Sequence, residues 1–111
     1  MKTSRYLIAL TFAGIVAAPT FSADAPTNWK ELCAKCHGDD GVGNTKMGRK
    51  LSIRNLSDPS VQAKFTDEDA VKAMKDGVKD EKGKVTMKPI EGLTPDDMQA
   101  LAKYVRGMVK K

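Results

Sequence analysis

Two cysteines and one histidine are all the chain has of either type, and they stand together as Cys33-Ala34-Lys35-Cys36-His37. No other feature constrains the fold as much, because 111 residues hold only one Trp, two Tyr and three Phe. A core built from these side chains alone would be thin, which points to an additional group filling it. Two Cys cannot staple a multi-disulfide scaffold, and one His cannot supply a His-rich metal cage or a bis-His cofactor site. The length allows one domain and not two.

The N-terminal stretch does not belong to that domain. Lys2 and Arg5 precede an apolar run from Leu7 to Ala18, and small residues at Ser22, Ala23 and Ala25 mark a cleavage zone. This is the pattern of an export signal. The run is too short for a spanning helix, which needs about 20 apolar residues. Residues 1–23 are therefore expected to be a cleaved signal peptide, with the cut between 22 and 25, and 24–111 a single domain. No stable membrane insertion is expected. Without Lys2 and Arg5 the remainder carries 17 basic and 14 acidic side chains, interleaved and without a stacking set of aromatics, which argues against nucleic acid.

Three helical stretches follow, and no strand alternation. The first is expected to start at Thr27 or Asn28, with Glu31 in a capping-box relation to Asn28. Trp29, Leu32, Cys33 and Cys36 would then share one face. The second is announced by the cap Thr66 and the acids Asp67, Glu68 and Asp69; Val71, Met74 and Val78 form its apolar stripe and Gly77 its stop. The last runs from the cap Thr94 and Pro95 through Met98, Leu101, Ala102, Val105, Met108 and Val109. Gly38 to Gly48 and Val78 to Gly92 read as loops, and a short turn is expected near Leu56 to Asp58. Loops this long in so small a domain are uncommon unless a ligand organises them.

The five residues Cys33 to His37 match the attachment signature of c-type haem. Two thiols separated by two residues on a helical turn can each form a thioether to one porphyrin, and the adjacent imidazole is placed to bind its iron. Three other readings compete. A thioredoxin-like pair would need an alternating strand and helix pattern that is not seen. A structural zinc site would need further Cys or His ligands. A disulfide between Cys33 and Cys36 would close a loop too small to contribute much.

Iron held by one His needs a sixth partner or an open position. Met74, Met98 and Met108 fall on helix faces, where a flexible gap-filling side chain is the simpler role. Met47 sits ten residues after His37 in the glycine-rich stretch. Met87 lies fifty residues after His37 in the irregular segment Gly83-Lys84-Val85-Thr86-Met87-Lys88-Pro89, where the chain can pass over the opposite face of the ring. A thioether favours ferrous iron, so a His/Met pair raises the reduction potential and suits electron transfer.

With these motifs in order the sequence resembles the small class I cytochromes c, monohaem electron carriers of the bacterial periplasm. The resemblance covers nearly all of the chain after the signal. It rests on Cys33-Ala34-Lys35-Cys36-His37-Gly38, on Asp40-Gly41-Val42-Gly43, on Met87-Lys88-Pro89, and on Leu93-Thr94-Pro95-Asp96-Asp97 through Leu101-Ala102-Lys103-Tyr104-Val105. It implies an all-α cytochrome c fold, three to five short helices wrapped around one covalently attached haem c, with Trp29 and Tyr104 at the crossing of the first and last helices. Cys33 and Cys36 would attach the haem and His37 and Met87 would bind its iron. Two departures stand out. No Pro follows the haem motif before Pro59, so the carbonyl of Met47 or a neighbour is expected to take the proximal imidazole's hydrogen bond. The methionine motif is also Met-Lys-Pro where Met-Pro is commoner.

The expected activity is one-electron shuttling by a monomeric periplasmic carrier that is not an enzyme and meets its redox partner proteins transiently. The alternatives are a haem subunit docked to a larger redox enzyme, or a gas-binding or peroxide-reactive haem protein if the Met ligand is labile. Arg49, Lys50 and Arg54 fall where similar proteins contact the haem propionates. Lys35, Lys46 and Lys88, each close in sequence to a ligand or thioether position, are expected near the haem edge, where they would steer an acidic partner.

Overall fold

Helix-forming signals in this chain are strongest at two threonines, and both do what their sequence context suggests in the computed structural model, which describes residues 24–109. The expected signal segment 1–23 lies outside the described residues. The elements in chain order are α1 (Ala25–Leu32), α2 (Ala34–His37), α3 (Lys46–Leu51), α4 (Pro59–Gln62), α5 (Asp67–Asp76), β1 (Val78–Lys79), β2 (Val85–Met87) and α6 (Pro95–Arg106). Thr66 opens α5 with a reciprocal capping box. Its Oγ1 accepts from the Asp69 N–H at 3.0 Å, and Asp69 accepts from the Thr66 N–H at 2.9 Å. Thr94 and Asp97 repeat the device at α6. Each pair satisfies two backbone donors that a helix start would otherwise leave open.

Elsewhere the structure departs from the sequence reading for local reasons. Helix α1 starts at Ala25, not at Thr27 or Asn28, because Asp24 accepts the Thr27 N–H at 3.0 Å and Pro26 fits the first turn. The helix is interrupted at Cys33, whose backbone lies at φ −122°, and resumes one residue later. Leu32, on α1 with Trp29, stands 44% exposed and not on the buried face expected for it. Within the first expected loop, Thr45 caps α3 by accepting the Gly48 N–H at 2.8 Å. Asp58 likewise caps α4 through Ser60, directly after a turn at Leu56 and Ser57. In the second, Val78 leaves α5 and pairs with Met87 in an antiparallel two-stranded sheet, Lys79 pairing with Val85 across an irregular register. Asp80 builds the connecting turn by accepting the N–H groups of Lys82 and Lys84, both at 2.9 Å. Helix α6 stops at Arg106, so Met108 folds back instead of continuing its stripe.

The core joins the first helix to the last two long ones. Trp29, Cys33, Met74, Met98, Leu101, Ala102 and Val105 are buried together, with Leu101 fully enclosed. Trp29 and Tyr104 meet with ring centroids 5.9 Å apart. Met74 and Met98 thus serve as core, and the expected crossing of first and last helices is present. A polar clamp closes the far end of α6. Gln62 is buried and donates to the carbonyls of Leu56 (2.6 Å) and Val105 (2.8 Å). Arg106 donates to Asp67, to the Gln62 carbonyl and side chain, and to the Phe65 carbonyl, its guanidinium 4.5 Å over the Phe65 ring.

Candidate haem-binding site

The motif occupies the break between α1 and α2, so Cys33 and Cys36 lie one turn apart and both are free thiols. The carbonyl of Cys33 accepts the N–H of Cys36 at 3.2 Å and of His37 at 3.0 Å, which fixes the three side chains on one short arc. Burial against the core, helped by the neighbouring Cys36, pushes the Cys33 thiol up to about 11. Burial also lowers the His37 imidazole below its ordinary value. It is therefore neutral at physiological pH, the form that binds a metal.

The segment after His37 is held in place by direct bonds. Gly43 N–H donates to the His37 carbonyl at 2.7 Å. Trp29 Nε1–H donates to Gly38 O at 2.9 Å, with its ring centroid 5.5 Å from that of His37. Thr45 Oγ1 donates to the Cys36 carbonyl at 2.6 Å, and α3 is pressed onto the same atom. A Cβ at Gly48 would stand 2.6 Å from the Cys36 oxygen and closer still to that of Gly43, so only glycine lets the helix approach. Leu56 N–H reaches back to Gly41 O at 2.8 Å, and the Met108 sulfur covers Gly41.

His37 Nδ1 is buried without a hydrogen-bond partner among the described residues. The carbonyl of Met47 or a neighbour does not take that bond, because Gly48 packs against the Cys36 and Gly43 carbonyls and leaves α3 turned to a different task. Met47 itself is 37% exposed on α3. Met87 is half-buried in β2 and packs against the core, its carbonyl pressed on Gly77 at the end of α5. Arg49 is exposed and donates to Asn44, and Lys50 lines an open cleft beside the hairpin. Arg54, Lys35, Lys46 and Lys88 are exposed. Sequence reading missed Gln62 and Arg106, since a Gln and an Arg in polar surroundings give no pattern that separates a buried clamp from a solvated surface.

The donor set suits a covalently attached haem: two free thiols one turn apart, a neutral imidazole directly after them, and thioethers elsewhere in the domain. Among the described residues no group of three or more His, Cys, Asp or Glu gathers to hold a metal ion, so a zinc site has no ligand set. No helix of the described residues is long and apolar enough to cross a membrane.

A mostly helical chain folded around a single Cys-x-x-Cys-His turn has the architecture of a small monohaem c-type cytochrome, a haem-binding electron-transport protein, and known proteins agree. Residues 22–105 match the family described as cytochrome c oxidase, cbb3-type, subunit III, and the chain belongs to that family. It is similar to the solved structure of KustC0563, a c-type cytochrome, at 32% identity and TM-score 0.68, over 79% of this chain and 100% of that one. A point mutant of the same cytochrome matches at 32% identity and TM-score 0.64, over 78% and 99%. No curated protein matches the sequence.

Proposed function

We propose that the chain is an exported one-electron carrier of the periplasm and not an enzyme, holding one haem c through Cys33 and Cys36 with His37 and Met87 as axial ligands. When bound, the haem supplies a ferric/ferrous couple. The chain's residues do the rest. Two thioethers would retain the group in both redox states. His37, kept neutral by burial and backed by Trp29, would present its imidazole in one orientation. Met87 would supply a soft sulfur that favours the ferrous state and leaves no position for oxygen. Met47 is the weaker candidate because α3 is packed against the Cys36 carbonyl, on the motif's own side. The core around Trp29 and α6 would exclude water from the iron's surroundings. Redox partners would meet the carrier briefly over a small interface.

The observation that carries this reading is two free thiols one helical turn apart with a half-buried imidazole, its Nδ1 enclosed, directly after them. The deciding experiment is an optical spectrum and intact mass of the protein secreted from a host able to attach haem. The mass should exceed the mature polypeptide by one haem, and the oxidised protein should show the weak long-wavelength band of sulfur on ferric iron. A colourless protein, or a coloured one that binds cyanide or azide as freely as an open site, would overturn it. A second reading, a haem subunit docked to a larger oxidase, draws support from the matched family's description as a subunit. Elution as a monomer from detergent-free membranes and periplasm would decide between them.

A further inference from the structure

A histidine that binds a metal through one ring nitrogen ordinarily donates the other N–H to an acceptor, and that bond fixes the plane of the ring. His37 has no such bond. Its Nδ1 is enclosed without a partner among the described residues, and iron taken by Nε2 would put the ring proton on that nitrogen. What lies against the ring instead is Trp29, with centroids 5.5 Å apart and planes tilted by 40°. The indole is buried and also meets Tyr104, at 5.9 Å between centroids. Its Nε1–H donates at 2.9 Å to the carbonyl of Gly38, the residue directly after the histidine. That carbonyl has one other donor, the Gly41 N–H, at a longer 3.3 Å. The Gly38 N–H in turn donates to Ala34 O at 2.8 Å, so the backbone leaving His37 is tied to α2 and to the indole at once.

We infer that Trp29 is a positioning residue for His37: its bond to Gly38 O and its contact with the imidazole set the plane of the ring, in place of the hydrogen bond that Nδ1 lacks. The torsion between Cβ and an imidazole is broad, so a ring without a bond of its own turns until packing stops it. A plain aromatic ring at position 29 would fill space but could shift within the core. The indole cannot, because its N–H pins it to the same backbone that carries the histidine. This role rests on the proposed ligation through His37, and it makes the N–H of Trp29, not only its apolar surface, part of the site.

The test uses the haem-loaded ferric protein, whose haem-methyl proton resonances spread according to the plane of the axial imidazole. Trp29→Phe, which removes the N–H and keeps a ring, should change the order or spread of those resonances while haem content and the long-wavelength sulfur band hold. Tyr104→Phe, a change on the same aromatic contact that spares the Gly38 bond, should leave the pattern as it is. In the ferrous protein, exchange of the Gly43 amide, which the His37 carbonyl accepts, should quicken about fivefold in Trp29→Phe, the worth of one hydrogen bond. Should Trp29→Phe fail to fold, the unmodified protein still decides. Its one indole N–H should exchange as slowly as the amides of α6, and the His37 Nδ1–H of isotope-labelled ferrous protein should resonate where an imidazole N–H without an acceptor does. A strongly downfield Nδ1–H would reveal an acceptor and overturn the inference. So would a fast-exchanging indole N–H, or a haem-methyl pattern unchanged in Trp29→Phe or altered equally by Tyr104→Phe. A colourless protein refutes the proposed ligation itself; a coloured one with any of those results refutes only the role of Trp29.

Discussion

The two sides of the Cys-x-x-Cys-His turn are built differently. On the histidine side, residues 36–56 are pinned by neutral donors and acceptors: Trp29 to Gly38, Gly43 to His37, Thr45 to Cys36, and Leu56 to Gly41. Gly48 removes the last free space between α3 and the motif. On the methionine side, Met87 sits in a three-residue strand paired to a two-residue one, with an irregular register and Ile90 N–H to Met74 O at 2.8 Å as its nearest tie to α5. The histidine side is fixed by many short connections and the methionine side by few. With the proposed His37 and Met87 ligation, ligand loss and exchange should therefore begin at sulfur, while the imidazole stays in place.

Removing both attachment points has the largest effect. Cys33→Ser with Cys36→Ser should abolish covalent haem, read as loss of colour from the denatured protein after acid–acetone extraction. Gly48→Ala comes next, since its methyl has nowhere to go. It should cost about 3 kcal/mol and lower the melting temperature by roughly 12 °C or more, measured by circular dichroism. A smaller drop would show that the histidine side yields after all. Met87→Ala should leave haem content and fold intact, remove the long-wavelength sulfur band, lower the potential and admit cyanide or imidazole; Met47→Ala should do none of these. Gly77→Ala gives a graded version. Its Cβ would stand 2.6 Å from the Met87 carbonyl at a φ of +79°, so the sulfur band should weaken while haem content holds.

Acid gives the smallest and latest effect. Hydrogen bonds from Thr27, Ser60 and Thr66 hold the carboxylates of Asp24, Asp58 and Asp69 below their ordinary value of 3.8. Their contribution is complete above that value and is lost as pH falls through the lower folded values. Far-UV helicity should therefore hold down to about pH 4 and decline below it. The haem-loop bonds, all between uncharged groups, should outlast the caps. Simultaneous loss of helicity and of the haem spectrum would contradict this.

What the sequence disclosed follows from how local each cause is. The caps at Thr66 and Thr94 and the stripe Met98, Leu101, Ala102 and Val105 are written in neighbours three or four residues apart, and all were readable; the meeting of Trp29 with Tyr104 came only through the family resemblance. Helix α3 was not, because Gly48 argues against a helix unless one knows that the Cys36 carbonyl lies against it. The hairpin was not, because Val78–Lys79 and Val85–Met87 are too short to show alternation. Leu32 was assigned to the buried face because it lies three residues after Trp29, yet the structure leaves it 44% exposed. For the site, Cys33, Cys36 and His37 announce themselves by order alone. The missing acceptor for His37 Nδ1 is a property of tertiary packing.

The hydrophobic centre is assembled from helices near opposite limits of the domain: Trp29 and Cys33 come from the first, Leu101, Ala102 and Val105 from the last. A nascent chain consequently has no stable nucleus until the closing helix has been synthesised and has found its mate, a contact delayed by the loop entropy of some seventy intervening residues. If Cys33 carries the proposed haem, that interval is when its thiol, later enclosed, is open to attachment. On the proposed attachment, topology would then set the order of assembly: modification first, closure second.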